Sequence, residues 1–323
     1  MRLNLLGAVI QSTLICLLAA GTSMAADASF DLNVQAGGHD RHNTPVCVLV
    51  TLPDELAKAK VAALATPDGR KLPGQLTDLG LLSPRVKVRA GFVPRQLHFI
   101  LPELEQGKSL KLVATVSGKP APEGKGFRWK DEPGQHAELS FGGRPVLRYM
   151  YKALDPNARE ETYKVFHHLY DPAGTRLVTK GPGGKYSHHR GLFFGFSRVS
   201  YGQNKRVDTW HCGGAAHQSH GGFLAEEAGP VLARHTVAVD WHGPGPAVFA
   251  KEQRELTVYR VPGGQLVEFA SRLASTAGKV KLDGDPQHAG FQFRAAQEVA
   301  DGDQKLTYYL RPDGKGKPGE TRN

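Results

Sequence analysis

The chain has 323 residues, of which 40% are hydrophobic and 22% charged, and its formal net charge is +10. This length allows one large or two medium domains. Three cysteines are too few for a disulfide-dense scaffold, and whether Cys47 and Cys212 pair stays open at this point. The Lys and Arg residues are scattered without a run of five, which favours a solvated basic surface and disfavours nucleic acid as a partner.

Residues 1–25 have the features of a secretory signal peptide. A positive charge near the start precedes an apolar run at 14–20, and the small residues Ser23 and Ala25 mark a cleavage site. Polar residues at 11–13 argue against a membrane anchor, and no later segment is long and apolar enough to span a bilayer. We therefore predict an exported protein, secreted or periplasmic, whose mature chain begins after Ala25.

The remaining sequence predicts an all-β protein with two domains. Residues 26–126 contain short alternating runs separated by Pro, Gly and Asp turns, which is typical of a small β-sandwich. The Pro- and Gly-rich stretch 117–126 is the expected linker. From 127 to 323 several alternating runs reach about a dozen residues, above the usual strand length. They predict a large antiparallel β-sandwich, galactose-mutarotase-like by analogy.

Alternation along these strands assigns side chains to opposite faces. In segment 288–295 the predicted apolar face holds Ala289, Phe291 and Phe293, and the predicted polar face holds His288, Gln292 and Arg294. Glu268 is on the polar face of its strand, and His235 shares the apolar face of strand 231–242, which predicts a core histidine with satisfied polar groups. A polar face with aromatic residues nearby is also typical of a sugar-binding sheet.

Segment 180–222 concentrates side chains that can act on a ligand. It holds five of the 14 histidines, and glycines surround them. Imidazoles donate, accept or coordinate, and glycine lets backbone approach a ligand, whereas so many polar groups suit a core poorly. We therefore predict the functional site here. The predicted catalytic residues are His188, His189, Asp208, His211 and His288, and the predicted substrate-binding residues are Arg190, Trp210, Gln292, Arg294 and Glu268.

Three kinds of function are compatible with this segment. The first is binding or modification of a carbohydrate or other small polar ligand, with a His as acid or base beside a carboxylate. The second is a divalent metal site for hydrolytic or oxidative chemistry, although no established ligand spacing such as HExxH is present. The third is a non-catalytic sugar-binding or structural module. We predict the first, because hydrogen bonding to a polyol needs no special spacing. The alternative metal ligands are Asp208, His211, His217 and His220.

The second part of the chain also carries long motifs of a known family. They read HHLYDPAGTRLVTKGPGG, HHRGLFFGF, VDTWHC, FLAEEAGPVLARH, KEQRELTVY, LDGDPQHAGFQFRA and YYLRPDGKGKPGETRN. The run from about 144 to 323 resembles the PmoA-like family of exported bacterial proteins, which is labelled methane oxygenase. The label belongs to a polytopic membrane protein, so we do not expect its activity in a chain without a spanning segment. The resemblance also implies further strands after GETRN, and hence a truncated C-terminus.

Overall fold

A computed structural model describes residues 27–118, 126–285, 287–302, 307–311 and 313–318. The predicted signal peptide and most of the predicted linker lie outside the described residues, as does the end of the chain. The regular structure consists almost entirely of antiparallel strands, which confirms the predicted all-β sandwich class. No helix in the described ranges has the length and apolar character needed to cross a membrane.

The described residues form 21 strands and a few short helices. In chain order the strands are β1 Asp27–Gln35, β2 Arg41–Pro53, β3 Val61–Ala65, β4 Lys71–Thr77, β5 Phe92–Leu104, β6 Ser109–Ser117, β7 Phe127–Glu132, β8 His136–Phe141, β9 Arg144–Met150, β10 Phe166–Leu169, β11 Leu192–Phe196, β12 Arg198–Tyr201, β13 Lys205–Val207, β14 His217–Ala228, β15 Leu232–His242, β16 Val248–Val261, β17 Gly264–Ser275, β18 Val280–Asp283, β19 Ala289–Phe293, β20 Leu310–Arg311 and β21 Gly314–Lys315. The helices are α1 Arg159–Thr162 and α2 Gln297–Asp301, and 3₁₀ turns occupy Asp54–Leu56 and Pro156–Ala158.

The chain divides into two compact units. The first contains the described residues up to 127 together with 227–234 and 256–268, and the second contains the rest. The chain first leaves the first unit after Phe127. Two later segments return to the first unit, because the long strands β14 to β17 each contribute residues to both units.

The first unit contains a six-stranded sheet in the order β1-β6-β3-β4-β5-β2. Strand β1 pairs with β6 from Asp27 opposite Ser117 to Gln35 opposite Ser109. Both strands alternate buried and exposed positions, as a sheet with one covered face requires. The core beneath them contains Leu32, Leu64, Leu97, Phe99 and Ala114, each at most 1% exposed.

The second unit contains a six-stranded sheet in the order β19-β11-β10-β9-β8-β7 and a three-stranded sheet in the order β13-β12-β18. A four-stranded sheet orders β14 to β17 consecutively. On β15 the predicted apolar face is confirmed, since His235, Val237, Val239 and Trp241 are all 0% exposed. Val237, Val239 and Trp241 belong to a hydrophobic core of the second unit, in which Trp241 packs with Phe249.

The predicted faces of β19 are reversed. Phe291 and Phe293 are 45% and 50% exposed, whereas Gln292 and Arg294 are half-buried. Strand β19 is at the edge of its sheet, and Gln292 lies opposite Phe193, which is 0% exposed. Directly opposed residues share a face, so the polar side of β19 is the covered one. The apolar pattern of an edge strand does not by itself say which face other elements cover.

Candidate functional site

Three connections of the second unit carry the predicted histidines. The first joins β10 to β11 and holds His188 and His189, the second follows β13 and holds His211, and the third precedes β19 and holds His288. Strands β10, β11 and β19 are neighbours in one sheet, which brings the first and third connections together. The second is attached to the end of β11 by the backbone hydrogen bond from Thr209 to Phe196. The ring centroids are 4.4 Å apart for His188–His189, 4.5 Å for His188–His211 and 5.3 Å for His211–His288. We call these four rings the imidazole cluster.

Two rings of the cluster are oriented by an aspartate three residues earlier. Oδ2 of Asp208 lies 2.7 Å from Nδ1 of His211, while its Oδ1 accepts the backbone N–H groups of Trp210 and His211. Oδ1 of Asp285 likewise lies 2.6 Å from Nδ1 of His288 and accepts a backbone N–H two residues along. A carboxylate at Nδ1 favours the tautomer whose Nε2 is the basic atom. Neither Nε2 has a hydrogen-bond partner among the described residues.

Asp285 was not among the predicted site residues, although the sequence contains a signal for it. The segment DPQH (285–288) repeats the spacing of DTWH (208–211), in which the first residue caps a turn and holds the ring of the last. Asp and Asn commonly form such turns by accepting backbone N–H groups two and three residues along. A search for repeated Asp-x-x-His would have paired the two segments.

The other two rings of the cluster are uncharged at neutral pH. Burial lowers the pKa of His188 to about 4, and the neighbouring His211, Lys164 and Arg294 add to the effect. Burial, followed by the charge of Arg294, lowers the pKa of His189 to about 3. Nε2 of His188 is buried and has no partner among the described residues. Each neutral imidazole can donate one hydrogen bond and accept another.

Lys164 is buried and donates hydrogen bonds to two of the three connections. It was not among the predicted site residues. Its residue is 3% exposed, and Nζ donates to the backbone carbonyl of Trp210 and to that of His188 at 3.4 Å. Nζ also lies 4.2 Å from the centroid of the Phe193 ring. Burial lowers the pKa of Lys164 to about 8, so the ammonium still carries its charge at pH 7. The only sequence signal was a lysine within the predicted strand YKVFHHLY (163–170).

The structure corrects the predicted roles of Arg190 and Trp210. Both are 0% exposed, so neither offers a surface to a ligand. The guanidinium donates to backbone carbonyl groups, those of Ser187, His189 and Glu160. Trp210 packs against Phe193 with ring centroids 4.9 Å apart, and the guanidinium of Arg294 lies 5.2 Å from its ring. Arg190 and Trp210 therefore position the connections instead of binding substrate.

The alternative metal set is not assembled. His217 and His220 lie in strand β14, not in a turn, and residues three apart in a strand point to opposite faces. The ring of His217 stacks on His242 at 4.0 Å, whereas His220 lies 4.6 Å from the ring of Tyr151. Within the described ranges, no group of three or more His, Cys, Asp or Glu is placed to hold a metal ion.

Two other predicted substrate-binding residues, Glu268 and Arg294, lie in different units. Glu268 is an exposed residue of the first unit. In the second unit, Arg294 is half-buried beside the cluster, and its Nε has no partner among the described residues.

Cys47 and Cys212 are both free thiols, and the Sγ of Cys212 donates to the backbone carbonyl of Thr209 at 3.4 Å.

Gly195 allows the Asp208–His211 turn to pack directly on β11. A Cβ atom at this position would lie 2.6 Å from the backbone carbonyl oxygen of Thr209. The backbone N–H of Thr209 donates to the carbonyl of Phe196 at 2.9 Å, which attaches the turn to the end of the strand. Glycine is therefore required for steric reasons at the second glycine position of HHRGLFFGF, since any side chain would displace the turn that holds His211.

A cleft of about 570 Å³ opens beside Asp208. Strands β12, β13 and β18 line it, and three of its side chains are cationic, those of Arg198, Arg206 and Lys281. Its volume is in the range of sites that hold small molecules. We call it the basic cleft.

Comparison with known proteins bears on the same part of the chain. Residues 136–322 match a family described as "Family of unknown function (DUF6807)". The match spans more than half of the sequence. The chain belongs to this family. No curated protein and no solved structure matches it.

The family match contains the imidazole cluster, Lys164 and the basic cleft. The candidate site is therefore part of the family's own domain. The PmoA-like resemblance and the galactose-mutarotase analogy stay predictions.

Proposed function

We propose that this is an exported protein that binds a carbohydrate at the imidazole cluster and modifies it by proton transfer. The observation that carries the proposal is the pair of aspartate-held imidazoles, His211 and His288, with ring centroids 5.3 Å apart. Their side chains are 41% and 29% exposed, so a ligand can reach them. An imidazole held in one tautomer by a carboxylate is a common general acid or base.

The neighbouring groups suit a ligand rich in hydroxyl groups. The neutral rings of His188 and His189 combine donor and acceptor atoms, as sugar hydroxyls do. The buried, unpartnered Nε2 of His188 gains a hydrogen bond when a hydroxyl reaches it. Export is part of the proposal because of the charged start, apolar run and small-residue cleavage site of residues 1–25.

The test is turnover by the mature chain on a panel of oligosaccharides, followed by reducing ends, unsaturated products and solvent deuterium incorporation. We expect His211→Gln and His288→Gln each to lower turnover by at least about 100-fold, the usual contribution of a general acid or base. The matched control is His217→Gln, on β14 outside the cluster, which should keep full activity. Glycan binding without turnover by the unaltered protein would favour the non-catalytic module, and no binding at all would refute the proposal.

A metal-dependent enzyme is the second candidate, and one observation favours it. Histidines that bind metals usually donate their other ring N–H to a carboxylate, as Asp208 and Asp285 allow here. Elemental analysis of the purified protein tests this directly. Stoichiometric zinc, iron or copper that is lost in His211→Ala, with a melting temperature lowered by chelator, would place this candidate first.

A further inference from the structure

We propose that the carbohydrate is anionic, a polyuronate or a sulfated glycan, and that the basic cleft binds its charged groups next to the imidazole cluster. The inference rests on the proposed function and adds the substrate class. It depends on the charges in the cleft, on the side chains that line it, and on the contacts that join it to the cluster.

The charges in the cleft leave a cation free for a ligand. Asp283 is engaged by Arg198 at 3.6 Å and by Lys281 at 3.2 Å. Asp208 is engaged by His211 and by backbone N–H groups. Arg206 is exposed and makes no ion pair within the described ranges. The cleft is lined by three cationic side chains and two carboxylates, and both carboxylates already have partners. Its net charge is therefore positive.

The lining of the cleft indicates charge as the means of recognition. Its described residues include Ser197 and Ser200 but no aromatic side chain, so no ring is available to stack on a neutral sugar. A guanidinium matches the geometry of a carboxylate or sulfate and can bind it through two parallel hydrogen bonds. The net charge, +10 for the full chain and 10 − 1 = +9 after removal of residues 1–25 with Arg2, would also attract a polyanion to the surface.

Two residues that line the cleft also contact the turns of the imidazole cluster. Asp208 lines the cleft and holds the ring of His211. Ser197 also lines the cleft, and its backbone N–H donates to the carbonyl of His288 at 2.9 Å. We infer from these contacts that an oligosaccharide with its charged groups in the cleft extends toward His211 and His288.

The first experiment compares ligands of equal backbone and different charge by calorimetry. Oligogalacturonate should bind at least about tenfold more tightly than its methyl ester, a difference that corresponds to 1.4 kcal/mol. Raising the salt concentration should weaken binding of the acid form and leave the ester unaffected. A sulfated oligosaccharide of similar length decides whether the charged group is a carboxylate or a sulfate. Equal affinity for acid and ester would overturn the inference.

The second experiment assigns the binding to the cleft. Arg206→Gln and Lys281→Gln should each weaken oligogalacturonate binding by about tenfold, as expected for a lost charge-assisted hydrogen bond. The matched control is Lys205→Gln, since Lys205 precedes Arg206 in β13, points to the opposite face and does not line the cleft. An equal loss in Lys205→Gln, or equally tight binding of a DNA oligonucleotide, would indicate nonspecific attraction of polyanions and refute the inference.

The two proposals fail in different ways. If neutral glycans are bound and turned over, with His211→Gln inactive and Arg206→Gln unaffected, the proposed function stands and the anionic substrate is wrong. If neither neutral nor anionic glycans bind, the proposed function itself is wrong.

Discussion

At the scale of single residues, the histidines of this protein differ in what their two ring nitrogens contact. His211 and His288 each have a carboxylate at Nδ1. His167 and His235 are instead 0% exposed, and their Nε2 atoms lie 2.8 Å apart. Only one of the two can donate in that hydrogen bond, so the other carries its proton on Nδ1. His235 is the predicted core histidine, but neither Nδ1 has a partner among the described residues, so only its Nε2 is satisfied there.

Asp285 offers the sharpest test at this scale. Asp285→Asn keeps the shape of the side chain but replaces the carboxylate that holds Nδ1–H of His288. We expect the ring to become a mixture of tautomers and turnover to fall by about 100-fold or more, because the basic atom is no longer Nε2. Nitrogen-15 NMR of the ring measures the tautomer independently of activity.

The control for this change is Asp31→Asn, at an exposed position of β1 in the first unit. It should leave both the NMR signals of His288 and turnover as they are. An unchanged tautomer in Asp285→Asn would contradict the assigned role of Asp285.

At the scale of secondary-structure elements, β16 is unusual because a charged pair lies on its buried side. Glu252 and Arg254 are two residues apart, so they share a face, and both side chains are 0% exposed. The guanidinium donates from Nε and Nη2 to the two carboxylate oxygens, each at 2.9 Å. Nε1 of Trp241 and the hydroxyl of Ser271 also donate to this carboxylate. The carboxylate thereby joins β15, β16 and β17 in the second unit.

Removing one member of this pair should be costly. Arg254→Met leaves Glu252 buried without its counter-charge, and we expect the free energy of unfolding to fall by about 3–5 kcal/mol. The double variant Glu252→Leu with Arg254→Met should lose less, since it leaves no buried charge. Urea unfolding followed by fluorescence measures both. A double variant less stable than Arg254→Met would show that the pair is not the source of the loss.

At the scale of the whole molecule, buried imidazoles occur in both units and make stability depend on pH. Burial lowers the pKa of His98 to about 3 in the first unit, and those of His168 to about 4 and His235 to about 3 in the second. In the unfolded chain these groups titrate near their ordinary pKa of about 6.5. Below that pH the unfolded chain binds more protons than the folded one, so acid favours unfolding.

The melting temperature should therefore be highest above pH 6.5 and should fall steeply as the pH decreases from 6.5 to about 4. Scanning calorimetry at closely spaced pH values measures the slope. Replacing an exposed histidine, as in His42→Gln, should leave that slope unchanged, since its side chain is 68% exposed. A melting temperature independent of pH between 4 and 7 would show that these imidazoles are not buried as neutral groups.

Much of this protein is encoded within short stretches of sequence. Alternation along β15 determined which side chains enter the core, because successive residues of a strand point to opposite faces. The Asp-x-x-His spacing determined a turn in which the aspartate holds the histidine ring. In DTWH the carboxylate also accepts the backbone N–H groups of Trp210 and His211, and in DPQH it accepts that of Gln287. All of these contacts lie within four residues, so local geometry is sufficient.

Only the tertiary structure decided what these local pieces contact. Tryptophan is a residue type that commonly binds sugars, yet Trp210 is buried against Phe193. Its burial follows from the strand order, which places β11 beside β19 and β10. The same strand order covers the polar face of β19 and brings His211 to His288. Strand order is set by pairing between distant segments, and neither hydrophobic period nor residue spacing records it.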